Sequence, residues 1–486
     1  MSAKLFVLMR RCCLLICLIL AVLSLRAQDD MVLRDEPNPT KDSRSPKPRI
    51  PRKRAARYTQ AQHRQRTDPK VRMRYRLSGA VGWLNRDDKI AGTSKMQGLT
   101  LDRPVVLGGT VAFEFLPTGR LESLQQWNNA SIGLAFSAFD LGQQHYLGQA
   151  FAPYAYLNVP LVKTRRFVFG LRPGIGVGFV TRTYANTVPD DLRWEAYQVT
   201  LKGETKSRQI ANISVGSIAN AFLSGGLYMD FPLRKGWDLT FSLAWQHLSN
   251  GSVMTPNAGY NMFNAEVGFA YTPSNSPRGF HFHEPYTKVP HSLYDGVEKK
   301  WDVEISAGGG ARSVYYRDRD WFGVAALSLS AHWKPLSIFR LGGGVDVFYD
   351  GAYAAVCDEF AKENTAHVTY FSKTYLAESK LSNCFRVGVS LQPEMVLGNL
   401  TFGYHLGIYL YDPVKNLEPY AEAKKGLKRG IFYSYDPLKA STYQDGWFYQ
   451  TLLLKYRCSR HIFVQLGLKV HIMKAEFLYA GLGVAL

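Results

Sequence analysis

The chain has 486 residues, a formal net charge of +20, 28 Tyr, 27 Phe and 42 Gly. After an apolar N-terminal run too short for a helical span, which takes roughly 20 apolar residues, no later segment approaches one, so a helical membrane protein is excluded. The three Cys beyond that run (Cys357, Cys384 and Cys458) make no zinc pattern, and no basic patch sits on a recognisable nucleic-acid module.

Residues 1–27 read as a secretory signal peptide. Arg10 and Arg11 precede the apolar run Cys12–Leu25, and Ala27 ends a cleavage site. Cys17 lacks a small residue before it, so no lipoprotein site is read. Residues 28–72 read as a basic, disordered periplasmic leader. Between Lys41 and Arg76 fourteen Lys/Arg stand against Asp42 and Asp68, in a stretch rich in Pro and Gln. Such a leader is either simply solvated or drawn to an anionic partner such as lipid headgroups.

From about Met73 the chain alternates apolar and polar in runs of roughly 9–14 residues, the length a tilted outer-membrane strand needs. Eight runs fall near 73–84, 104–116, 129–140, 146–158, 166–182, 220–232, 238–249 and 261–272. Eight more fall near 301–313, 322–333, 338–350, 384–395, 399–411, 445–458, 461–472 and 476–486. In 104–116, Val105, Leu107, Val111, Phe113 and Phe115 share one face, and Gly108, Thr110, Ala112 and Glu114 the other. In 399–411, Leu400, Phe402, Tyr404, Leu406, Ile408 and Leu410 alternate with Thr401, Gly403, His405 and Gly407. A soluble sandwich would turn the bulky face inward, whereas a membrane barrel turns it to lipid and lines its lumen with the small and polar face. The predicted fold class is therefore all-β: an antiparallel outer-membrane β-barrel of about sixteen strands, either one large barrel or two eight-stranded halves. Duplication within one sixteen-stranded barrel is the favoured form.

Loop lengths give orientation. The links at 85–103, 183–219, 351–383 and 412–444 are long and read as external. Those at 159–165, 233–237, 334–337, 396–398 and 459–460 are short and read as periplasmic. The connection 273–300 is much longer than its periplasmic peers, and it divides the half 73–272 from the half 301–486.

Within the seventh run, Phe241, Leu243, Trp245, His247 and Ser249 share the lipid face. Residues i and i+2 on one face are within reach of each other, so His247 can act as base toward the Ser249 hydroxyl. The bland alternative is that both have simply reached the wet headgroup region. A third group should hold the other imidazole nitrogen. On the returning run, Glu266 is the more familiar orienter, but its parity turns it to the lumen. Asn261 shares the lipid face at the near end of the hairpin and is the predicted third member. Donors to an oxyanion are sought in the Asn250, Gly251 and Ser252 backbone and the Asn257 side chain.

His247-x-Ser249-Asn250, followed by Pro256-Asn257-x-Gly259, resembles the motif of the outer-membrane lipid A 3-O-deacylase (PagL, acyloxyacyl hydrolase) family. That resemblance implies an eight-stranded barrel with a Ser-His-Glu triad on its lipid-facing surface. The family's His and Ser fall on His247 and Ser249, and its Glu falls on Asn261, a departure from the pattern. His247-Leu248-Ser249-Asn250-Gly251 is also similar to outer-membrane phospholipase A, whose third member is an Asn; that family's calcium-site pattern is not evident here. Both resemblances imply hydrolysis of an acyl ester of an outer-leaflet lipid, lipid A of lipopolysaccharide above all, by an enzyme of the bacterial outer membrane; the Ser-His scheme itself requires no cofactor or metal. The competing class is a non-catalytic porin or scaffold barrel with a relic motif.

The second half reads as lacking a copy of the site. His471 and His405 fall on lumen faces, and Met473 stands where the Ser would be. His281, His283, Glu284 and His291 read as a surface loop, Gly308–Gly310 and Gly342–Gly344 as packing glycines, and Cys357 and Cys384 as a candidate disulfide bracketing one long loop.

Overall fold

The computed structural model describes residues 72–84, 90–91, 105–116, 130–142, 147–187, 198–201, 204–207, 211–273, 301–313, 321–354, 367–370, 373–376, 381–412, 447–471 and 474–486, less Arg165, Ile213, Arg234 and Lys235, together with 124, 127–128 and 144. The expected signal peptide, the expected leader up to 71, the histidines of the midpoint connection and Cys357, with its expected pairing, lie outside these residues.

The first half holds β1 (Arg72–Leu84), β2 (Val106–Leu116), β3 (Ser131–Asp140), β4 (Gln149–Lys163), β5 (Val168–Leu171), β6 (Gly174–Val180), β7 (Ala219–Pro232), β8 (Trp237–Ser249) and β9 (Tyr260–Tyr271). β5 and β6 form one stave interrupted at Pro173, which has no N–H to give a ladder. Antiparallel pairing runs in order from β1 to β9, with β4 and β7 each pairing both pieces of the broken stave. β9 then pairs back onto β1 over ten positions, from Tyr75↔Tyr271 to Leu84↔Met262, which closes an eight-staved barrel.

The second half holds β10 (Trp301–Arg312), β11 (Phe322–Leu336), β12 (Phe339–Asp350), β13 (Phe385–Leu397), β14 (Leu400–Tyr411), β15 (Phe448–Arg457), β16 (Ile462–His471) and β17 (Lys474–Ala485). These form a second closed barrel, β17 pairing with β10. The expectation of one sixteen-stranded barrel is thus corrected to two barrels of eight. The physical reason is that each half satisfies its own edges: no strand edge is left in lipid once β9 meets β1 and β17 meets β10. Strand lengths, alternation and loop lengths are the same for either architecture, so only long-range pairing separates them.

The faces follow the alternation. Leu107, Val111 and Phe113 of β2 point out, while Thr110, Ala112 and Glu114 are buried inside. In β14, Tyr404, Leu406, Ile408 and Leu410 are outside and Thr401 and His405 inside. An eight-stranded barrel is just wide enough for side chains to fill it, and both lumens are filled. Toward its periplasmic end the first holds Arg74 against Glu114 (3.3 Å), Asp230 (2.9 Å) and Asp238 (2.6 Å), with Arg76 adding bonds to Glu114 and Asp230. The second repeats the device: Arg340 meets Glu304 (2.6 Å), Asp302 (3.4 Å) and Glu394, and Lys455 bridges Glu304 and Glu394 at 2.8 Å each. Buried charges persist in such a place only when paired. His332, Glu394 and His405 lie close enough to hold a metal ion, but Lys455 already sits on the same Glu394 oxygen that His405 bonds, so the carboxylate is neutralised by cations of the chain itself.

Candidate active site on the lipid face

β8 carries Trp245, His247 and Ser249 on its outer face, while Gln246 and Leu248 are buried in the lumen. Register then selects the partners. His247 stands directly opposite Asn261 on β9, and Trp245 opposite Phe263. Opposed residues share a face and have Cβ atoms about 5 Å apart, so a side-chain bond between His247 and Asn261 follows from the ladder.

That bond is present: His247 Nδ1 and Asn261 Oδ1 are 2.8 Å apart, and His247 Nε2 and Ser249 Oγ are 2.9 Å apart. An amide oxygen only accepts, so Nδ1 carries the proton and Nε2 offers its lone pair to the Ser249 hydroxyl. The imidazole stacks on Trp245 at 5.7 Å and 14°. On another side it meets Gly259, whose φ is +68°; a Cβ there would lie 2.7 Å from the ring's Cε1 and 3.0 Å from the Leu248 carbonyl. Glycine is required here both for the left-handed backbone and for the room the ring occupies. Only 5% of Ser249 is accessible, so its hydroxyl is sheltered and engaged and is not merely wetted at a rim.

Glu266, whose parity argued against it, is buried in the lumen and accepts bonds from Ser242 (2.9 Å) and Ser78 (3.5 Å). The loop after Ser249 is held by Asn250. Its amide Nδ2 donates to Ser217 Oγ (2.8 Å) and to the Met254 carbonyl (2.7 Å). Its backbone N–H donates to Asn257 Oδ1 at 3.0 Å. This corrects the expectation for Asn250 as an oxyanion donor: that N–H is already committed, and the Asn257 oxygen is the group it is committed to. Gly251 and Ser252 differ. Both are left-handed (φ +64° and +63°) at the centre of a turn closed by Val253 N–H to the Asn250 carbonyl at 3.3 Å. Among the described residues, the Gly251 and Ser252 N–H groups donate to no acceptor.

Sequence reading missed Ser217, whose hydroxyl anchors Asn250 from 33 positions away, and the packing role of Gly259. The second had a signal, since Gly259 ends the Pro256-Asn257-x-Gly259 stretch already singled out; the first had none.

The arrangement can deprotonate a serine hydroxyl at a surface turned to the bilayer, beside two unpaired backbone donors. Residues 109–270 match the family described as lipid A 3-O-deacylase (PagL). Residues 301–423 and 432–486 match the one described as acyloxyacyl hydrolase, C-terminal domain. No curated protein matches the chain. Among solved structures, the outer-membrane enzyme PagL is 12% identical over 40% of this chain and 97% of its own, at a TM-score of 0.21. The Yersinia pestis outer-membrane protein Ail is 12% identical over 40% of this chain and 98% of its own, at 0.18. A double mutant of the Rh. blastica porin is 9% identical over 86% of this chain and 100% of its own, at 0.14.

Proposed function

We propose that the chain, whose residues 109–270 match the lipid A 3-O-deacylase (PagL) family and whose residues 301–423 and 432–486 match the acyloxyacyl hydrolase C-terminal domain, removes an ester-linked acyl chain from lipid A in the outer leaflet, with Ser249 as nucleophile. The observation that carries the reading is the hydrogen-bonded chain Asn261–His247–Ser249 on the lipid-facing side of β8 and β9. Substrate reaches such a site by lateral diffusion, without leaving the membrane.

In the proposed reaction His247 Nε2 takes the Ser249 proton as Oγ attacks the acyl carbonyl. Asn261 Oδ1 accepts from Nδ1–H and holds the ring in the tautomer that leaves Nε2 free to act. The Gly251 and Ser252 N–H groups receive the tetrahedral oxyanion. His247 returns the proton to the departing sugar hydroxyl, and the deacylated lipid leaves. Water, deprotonated by the same imidazole, then attacks the acyl–Ser249 ester and releases the fatty acid. Asn261 brings no charge to the imidazolium, so orientation is its whole contribution.

The test is hydrolysis of purified lipid A read by mass spectrometry. Wild type should remove one acyl chain, and Ser249→Ala should leave the lipid intact. Equal profiles for the two would sink the reading. The uncharged third member also suits a phospholipase, the class whose motif shares His-x-Ser-Asn-Gly and an Asn. Parallel incubations with phospholipid, with and without calcium, separate the two: release from phospholipid alone would transfer the assignment to that class.

A further inference from the structure

The turn that carries the two unpaired donors is held from outside its own barrel. Ser252 is a non-glycine residue at φ +63°, a strained conformation that persists only when its surroundings impose it. Those surroundings come from the second barrel. The Ser313 N–H, just beyond the outer end of β10, donates to the Ser252 carbonyl at 2.9 Å. The Ser252 hydroxyl donates to the Ala475 carbonyl, at the outer start of β17, at 2.6 Å. The Thr255 and Ser313 hydroxyls bond to each other at 2.8 Å. Beside them, Gly251 lies against the outward side chains of β16 and β17: a Cβ at Gly251 would sit 3.0 Å from Leu468 Cδ1 and 3.2 Å from Leu478 Cβ.

The contact is fixed at a second, distant place. The Trp127 indole N–H donates to the Val396 carbonyl at 3.1 Å, and Leu124 and Ala130 pack with Leu397. Residues 124–130 and 396–397 lie at the periplasmic ends of their barrels, and 250–255, 313 and 475 at the external ends. The barrels therefore stand alongside one another and touch at both rims. Docking is already supplied at the periplasmic rim, where no catalytic group lies. The external contact concentrates instead on the two residues that follow the Ser249–Asn250 pair.

We propose that the second barrel is a positioning element of the first barrel's active site: Ser313, Ala475, Leu468 and Leu478 hold Gly251 and Ser252 in the left-handed turn that presents their N–H groups to the oxyanion. The inference rests on the deacylase reading of Ser249. It assigns the second barrel a part in the reaction although it contributes no group that touches substrate. A displaced oxyanion donor costs rate in the chemical step and leaves ground-state binding alone.

The contact can be loosened from either side in the full-length protein, reconstituted in vesicles with lipid A. Ser252→Ala removes the hydroxyl that reaches Ala475. Leu478→Trp forces bulk against Gly251, and Leu478→Met, close in volume, is the rescue. Ser252→Ala and Leu478→Trp should each lower kcat about tenfold or more, with KM within twofold of wild type and the heat-modifiable gel migration of a folded barrel retained. Leu478→Met should recover most of that loss, which a general weakening of the barrel would not predict. An unchanged kcat in the folded variants, or a raised KM at unchanged kcat, overturns the proposal. Should Leu478→Trp fail to fold, Ser252→Ala decides alone, because it lies in a loop outside both barrel walls. Ser249→Ala is assayed beside them. If it is inactive while the contact variants keep wild-type kcat, only the second-barrel inference falls; if it remains active, the catalytic reading itself falls.

Discussion

His247 and His471 both lie near the external end of the seventh stave of an eight-staved barrel, and they lead opposite lives. His247 faces out, bonded to Asn261 and Ser249. His471 faces in: its Nε2 is 2.7 Å from Glu476 Oε2, its Nδ1 lies 3.1 Å from the Phe448 carbonyl, and Lys469 shares the same glutamate. The outer face of β16 carries Leu466, Leu468 and Val470, whereas that of β8 carries Trp245, His247 and Ser249. Side-chain direction has a period of two, so a shift of one residue decides whether an imidazole is offered to lipid or held by hydrogen bonds in the lumen. The lumens, by contrast, use one design twice, an arginine ringed by three carboxylates toward the periplasmic end. The barrels are alike in the ion pairs that fill their lumens and differ on the outer face of the seventh stave.

The contrast between outward and inward histidines is the first place to break that comparison. His247→Ala should lower turnover about 10⁴-fold, the scale set by loss of the base in a triad that acts as a unit. His405→Ala, a lumen histidine of the second barrel that bonds Glu394 at 2.9 Å, should leave turnover within twofold. Lipid A deacylation followed by mass spectrometry reads both, and a comparable loss in the two would dissolve the distinction.

The shared lumen design should show itself as equal sensitivity. Arg74→Ala takes from Asp238 its Arg74 bond and leaves Glu114 and Asp230 to Arg76, and Arg340→Ala leaves Glu304 and Glu394 to Lys455 and Asp302 to Lys334 and Arg457. Each should cost about 1.5–3 kcal/mol in reversible urea unfolding from vesicles, because buried carboxylates lose some of their charged hydrogen bonds while keeping others. If one substitution were neutral and the other severe, the two plugs would not be equivalent parts.

The smallest effect sharpens what the outer face of the first barrel does. Asn261→Glu supplies the charge that the amide lacks and should raise kcat a few-fold through a better-stabilised imidazolium. Asn261→Ala should lower it by roughly ten- to a hundredfold by freeing the ring, on the scale of a lost general-base contribution. Steady-state kinetics on purified lipid A measure both. A Glu variant slower than wild type would mean that the amide's geometry matters more than charge.

Much of the site was legible because a strand is a ruler. Trp245, His247 and Ser249 share parity, and the hairpin length brings Asn261 opposite His247, so rejection of Glu266 needed only even and odd numbers. The oxyanion side was read less well. Asn250 looked like a donor until the turn was seen to spend its N–H on Asn257, and Gly259 was quoted for its motif before its contact with the imidazole was known. Ser217, Ser313 and Ala475 left no trace near the motif, because residues 33 to 223 positions away become neighbours only through barrel closure and barrel contact.

The sequence by itself determined that this chain crosses the membrane with strands, which face of each strand meets lipid, and that His247 and Ser249 stand together on that face, since all three follow from a period of two in a local ladder. Only the tertiary structure decided that the sixteen strands close as two barrels and that the second touches the 250–255 turn of the first. Both depend on pairings between β9 and β1, between β17 and β10, and between the 250–255 turn and the second rim. Those pairings are set by which distant edges and surfaces meet, and local alternation is the same whichever way they do.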